Sequence, residues 1–118
     1  SHHGQNPDTI REFAKLNKWH VGHVAPFLEK LKNTPDGDGS LLDHTVVIYG
    51  SPMGDSNIHK HKRCPIFLAG HMHGQLKGNQ HLVAKAGTPM ANVRLTLAHK
   101  LGVEVEQIGD STGHVVGL

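Results

Sequence analysis

The sequence contains one cysteine, one tryptophan and one tyrosine, and aromatic residues fill only 4% of its 118 positions. A single cysteine excludes a disulfide within the chain and any zinc motif built on cysteines. Standing beside an apolar run, Cys64 reads as a small core residue rather than a reactive thiol. No apolar run reaches the roughly 18 residues that a transmembrane helix requires, so no membrane span is expected. No secretory leader pattern is visible either. An excess of one charge is also missing: 12 Lys and Arg against 10 Asp and Glu leave a formal charge of +2. The basic residues are scattered, with Lys60, Lys62 and Arg63 as the one local cluster, and this is too little to argue for a nucleic-acid partner. Internal repeats and low-complexity tracts are absent.

What the chain does have is histidine and glycine, 12 and 14 residues respectively. The glycines point to a loop-rich fold with many turns. The histidines, with an ordinary pKa of about 6.5, are mostly neutral at pH 7 and add positive charge in mild acid. They do not run in tracts, which disfavours a histidine-rich metal buffer. The length suits about one domain. The opening Ser1-His2-His3-Gly4, without an initiator Met, suggests a processed or truncated piece.

The chain is organised around residues 45–70. Thr45-Val46-Val47-Ile48-Tyr49-Gly50-Ser51 and Pro65-Ile66-Phe67-Leu68-Ala69-Gly70 are continuous apolar runs rich in β-branched and aromatic residues. That pattern predicts strands buried on both faces, as in a parallel sheet covered by helices. Open α/β sheets carry their chemistry in loops just past the carboxyl ends of strands. The loop 51–63 is such a place, and it holds Asp55, His59 and His61.

Upstream, Thr9 and Glu12 have capping-box spacing. Ile10, Phe13, Leu16, His20, Val24, Phe27 and Leu31 form one stripe of a long amphipathic helix, with His20 as a core or boundary residue. Pro26 predicts a kink, and the turn cluster 33–40 ends the helix. Downstream, 71–81 reads as a short hairpin or irregular loop. Thr88-Pro89 predicts a second helix start, with Met90, Val93, Leu97 and Leu101 as its buried stripe and Gly102 as its stop. The tail reads as turns, ending in a short strand at Val115-Val116. Two firm strands cannot cover themselves, so the remaining strands are expected upstream in a longer parent.

Asp55, His59 and His61 offer oxygen and nitrogen donors within seven residues, and zinc-type ions accept both. His59 and His61 face one side if that segment is extended, and Asp55 can fold back at Gly54. The spacing is permissive, and Asp- and His-bearing loops are also commonly just solvated. His2 and His3 are adjacent, so at most one joins a given ion. His71 and His73 follow the second strand and read as surface residues. Ser51 lacks the Gly-x-Ser-x-Gly frame of a hydrolase nucleophile and reads as a turn residue.

Ser1-His2-His3-Gly4, the run Asp36 to Asp43, Tyr49 to Asp55, Gly87 to Asn92 and Gly109 to Gly113 resemble, in order and nearly end to end, the C-terminal part of the bacterial HXXSHH-motif family. That is a domain family of unknown function. Ser1-His2-His3 match the last three residues of its motif. The resemblance implies that 1–118 is a single C-terminal portion of a larger α/β domain whose N-terminal part is missing, that missing part being its first partner. More distantly, the family resembles the alkaline phosphatase and sulfatase superfamily. This implies a fragment of a three-layer sandwich with a mostly parallel sheet, a long N-terminal helix and few strands. It also implies a divalent metal, zinc or manganese, and a small anionic ester as substrate. By that analogy His2 or His3 matches a mid-chain histidine ligand. The loop after Tyr49 matches the place of an Asp-His pair. Here Gly50-Ser51-Pro52-Met53 stands instead, so Asp55, His59 and His61 would substitute, and the nucleophile strand is not in these residues. The implied role is part of a metal-dependent phosphate- or sulfate-ester hydrolase; the alternative is a non-catalytic extracytoplasmic domain that keeps the fold. Family members usually look exported, implying the periplasm or cell surface.

Overall fold

A computed structural model describes residues 2–118. The chain divides into two compact units, Ser1–Gly70 and His71–Leu118. Both are built from short elements, and the whole is mixed α/β.

The first unit opens on α1, Pro7–Gly22. It starts earlier than the Thr9 spacing suggests, because Asn6 supplies the cap: its Oδ1 accepts from the N–H groups of Asp8 and Thr9 at 2.9 and 3.2 Å. Pro7 then sits at the first helical position, where its missing N–H costs nothing. The helix breaks at His23 rather than kinking at Pro26, and α2 follows over Val24–Lys32. Pro26 falls in the first turn of α2, where proline is tolerated. Of the expected stripe, Phe13, Val24 and Leu31 are half-buried while Ile10, Leu16, His20 and Phe27 are exposed, and neither helix has a buried residue. Trp19 is 61% exposed, with its indole 4.3 Å from the His23 ring, edge to face, and 5.1 Å from that of His20. His20 is therefore a surface residue.

The turn cluster forms a minimal hairpin, β1 (Pro35–Asp36) with β2 (Gly39–Ser40). A single helical turn, α3 (Leu41–His44), follows. Asp43 accepts from both the Ser40 N–H and the Ser40 hydroxyl, at 2.9 and 2.7 Å. His44 lies between two carboxylates: Nδ1 is 2.9 Å from Asp36 Oδ2, and Nε2 is 3.2 Å from Asp38 Oδ1.

The two apolar runs become β3 (Val47–Gly50) and β4 (Ile66–Ala69). They pair with each other antiparallel, Val47 opposite Ala69 and Gly50 opposite Ile66. This hairpin, closed by a long loop, is the whole of that sheet. Among the described residues no parallel pairing forms, and neither strand is buried on both faces. The continuous apolar pattern reflects one half-covered face plus Ile48, Ile66 and Phe67 left open to solvent. Beyond β4, Gly70 adopts φ +106°, and a Cβ there would stand 2.3 Å from the Thr45 carbonyl oxygen.

The second unit is organised on the helix after Pro89, α4, Ala91–Lys100. It starts later than Thr88, since Pro89 and Met90 form a lead-in turn accepting from Asn92 N–H and Val93 N–H at 3.1 and 3.0 Å. Its buried face is also rotated from the expected stripe. Ala91, Asn92, Leu95, Thr96 and Leu97 are buried, whereas Leu101 is 59% exposed. Two polar side chains explain the rotation. Asn92 Oδ1 accepts from the Thr112 N–H at 2.8 Å, and the Thr96 hydroxyl oxygen accepts from the Val115 N–H at 2.9 Å while donating to Asn92 O at 2.7 Å. The tail thus lies along this helix face as turns, and Val115-Val116 form no strand.

No helix among the described residues is long and apolar enough to cross a membrane.

Candidate functional site: a basic loop cleft in the first unit

The loop between β3 and β4 is tied closed by Ser51 N–H donating to the Pro65 carbonyl at 2.9 Å. Ser51 does act as a turn residue: its hydroxyl accepts from Met53 N–H and donates to Met53 O. Within the loop a smaller hairpin forms, with Gly54 N–H donating to Lys60 O at 2.9 Å and Lys60 N–H to Asp55 O at 2.8 Å. Gly54 is required there. A Cβ would fall 2.1 Å from the Lys62 carbonyl oxygen and 2.9 Å from that of Arg63.

This scaffold sets the expected site residues. Asp55 Oδ1 accepts from Asn57 N–H at 3.0 Å, so the carboxylate caps its own turn. His61 Nδ1 donates to the Pro52 carbonyl at 2.9 Å, and the Cys64 thiol donates to the same oxygen at 3.0 Å. That bond leaves the proton-free nitrogen of a neutral His61 at Nε2, the tautomer suited to a ligand. His59 holds a left-handed backbone, φ 50°, which histidine adopts more readily than most residues.

The lead-in reaches the loop through Asn57, whose Oδ1 accepts from Gly4 N–H at 2.8 Å. His2 and His59 come together in consequence, with Nε2 atoms 3.3 Å apart and ring centroids at 4.9 Å. Two nitrogens on one tetrahedral ion at about 2.0–2.1 Å stand about 3.3–3.4 Å apart, so the separation suits two imidazoles of a zinc site. A third donor does not join them: among the described residues no group of three or more His, Cys, Asp or Glu side chains gathers to hold a metal. His3 is turned elsewhere. Its Nδ1 accepts from the Gln5 N–H at 3.2 Å, so a neutral ring carries its hydrogen on Nε2.

The loop, with His3 and Phe13, lines an open cleft of about 560 Å³, whose other lining residues are Gly54, Asp55, Ser56, Lys60, Lys62 and Arg63. The lining thus carries three fixed positive charges, Lys60, Lys62 and Arg63, and one carboxylate, Asp55. Sequence spacing showed the basic cluster and the Asp–His loop but not Asn57, whose role depends on a contact 53 positions away. His71 and His73 belong to the second unit.

No family model, curated protein or solved structure matches the chain.

Proposed function

We propose that the 51–64 loop and the His2–Gly4 lead-in form the anion-holding part of a phosphate- or sulfate-ester hydrolase-like domain. The observation that carries this reading is the cleft's charge, with Lys60, Lys62 and Arg63 against Asp55. Arg can grip two oxygens of a tetrahedral anion with its planar fork, while Lys adds point charge. His3, whose Nδ1 accepts from the Gln5 N–H, contributes its Nε2–H as a further donor. His2 and His59 would hold a divalent ion, zinc or manganese, which when bound supplies a Lewis acid at the ester. The remaining donors, the nucleophile and the other strands of an alkaline-phosphatase-like, mostly parallel sheet would come from the missing N-terminal part of the parent. The resemblance to the HXXSHH-motif family supports this assembly and a periplasmic or cell-surface location.

The test is titration with inorganic phosphate and sulfate, followed by the amide signals of residues 54–63. Lys60→Ala/Arg63→Ala should weaken binding at least tenfold, and affinity should fall as salt rises. Equal binding by the double variant would sink the proposal.

A second reading, a domain that keeps the fold without chemistry, is favoured by the Asp55 carboxylate being engaged with the loop's own backbone. Under that reading the parent binds the anion but does not cleave an aryl phosphate or sulfate ester.

A further inference from the structure

The second unit holds another histidine pair, unrelated in sequence to any motif above. His99 occupies the last turn of α4, and its Nε2 lies 2.6 Å from the Val105 carbonyl oxygen. A carbonyl only accepts, so the ring hydrogen is on Nε2 and the lone pair on Nδ1. His114 Nε2 stands 2.7 Å from that Nδ1, the ring centroids being 4.7 Å apart. Both residues are exposed.

We propose that His99 and His114 form a copper(II)-binding site, with Nδ1 of the first and Nε2 of the second as adjacent equatorial ligands and water completing the shell. Three observations support it. The Val105 bond is the outer-shell arrangement of a metal-bound histidine: the second ring nitrogen donates to a carbonyl, fixing tautomer and ring orientation. The position in the last turn of a helix favours a cation, because the helix dipole places partial negative charge at that end. The neighbouring cation, Lys100, has its ammonium bonded to Gln75 O at 3.0 Å.

The third is the spacing. Two nitrogens at right angles on one ion, each about 2.0–2.1 Å away, stand about 2.9 Å apart, whereas a tetrahedral ion needs about 3.3–3.4 Å. The observed 2.7 Å is that of a hydrogen bond, His114 Nε2–H donating to His99 Nδ1, and it holds the two nitrogens close enough to become adjacent ligands once that hydrogen moves. Tetragonal nitrogen sites suit copper(II), the divalent ion that such ligands also bind most strongly. On binding, a neutral His114 shifts its hydrogen from Nε2 to Nδ1, so two lone pairs face the ion and no net proton is released.

The experiment counts bound Cu2+ by equilibrium dialysis on the whole chain and on His114→Gln, with helix content checked by circular dichroism. The unaltered chain should hold one ion more than the variant. Equal counts would overturn the proposal. Repeated with Zn2+, the counts should be equal; a difference of one ion would overturn the tetragonal preference. A second readout needs no variant: saturating Cu2+ should broaden away the amide signals of Ala98, Lys100, Gly113 and Val115. Their survival would overturn the site.

Discussion

The Nε2 atoms of His2 and His59, 57 positions apart in sequence, stand 3.3 Å from each other. What holds them there is the Gly4 N–H bond to Asn57, a residue that touches neither ring in this contact. If the pair binds zinc, Asn57→Ala should weaken it about tenfold or more without removing a ligand, as loss of outer-shell support does. Asn57→Asp, which keeps the acceptor, should restore most of the affinity. Calorimetry with Zn2+ on the three proteins decides it, and unchanged affinity in Asn57→Ala would remove the positioning role.

Gly54 is the tightest backbone approach in the loop. Gly54→Ala places a methyl group 2.1 Å from a carbonyl oxygen, and the backbone must shift to relieve it. A loss of about 2–3 kcal/mol is expected from such strain, read from the urea midpoint. A variant as stable as the parent chain would show that the loop is held more loosely than described.

His44 gives the first unit a pH dependence of definite sign. Its pKa is raised above the ordinary 6.5, chiefly by the hydrogen bond to Asp36 and, less, by the charges of Asp36 and Asp38; burial opposes these. The folded state therefore binds the proton more tightly than the unfolded chain. The stabilisation is fully present below pH 6.5 and is lost as pH rises through the higher folded-state value. Asp36→Asn should flatten this part of the stability–pH curve. A parent curve with no fall from pH 6 to 8.5 attributable to Asp36 would contradict it.

In the second unit, Asn92→Ala removes the buried side chain that accepts from the N–H of exposed Thr112. A cost of about 0.5–1.5 kcal/mol is expected for the lost hydrogen bond, together with faster hydrogen exchange at Thr112. Exchange as slow as in the parent chain would show that Asn92 is not the anchor.

How much of this was written in the sequence depends on the range of each interaction. Local signals worked. The apolar runs at 45–51 and 65–70 located β3 and β4, the turn cluster 33–40 located the end of α2, and Gly102 follows α4 closely. Strand direction was not local: a run such as Val46-Val47-Ile48 reads alike whether its neighbour runs parallel or antiparallel. Nor was the buried face of α4, because Asn92 and Thr96 were drawn inward by amides about 20 positions away. At the site, the loop's Asp, His and basic residues were legible from type and spacing. The pairing of His2 with His59, and of His99 with His114, was set by chain paths that no periodicity encodes.

The chain's single tryptophan sits on an open helix surface in contact with two imidazoles. An indole so exposed emits like one in water already in the folded protein, so its emission colour carries little information about unfolding. Its brightness carries more, because a protonated imidazole quenches a neighbouring indole. Fluorescence intensity from Trp19 is thus a built-in optical gauge of whether His20 and His23 remain beside it, and it reports on the junction of α1 and α2 alone.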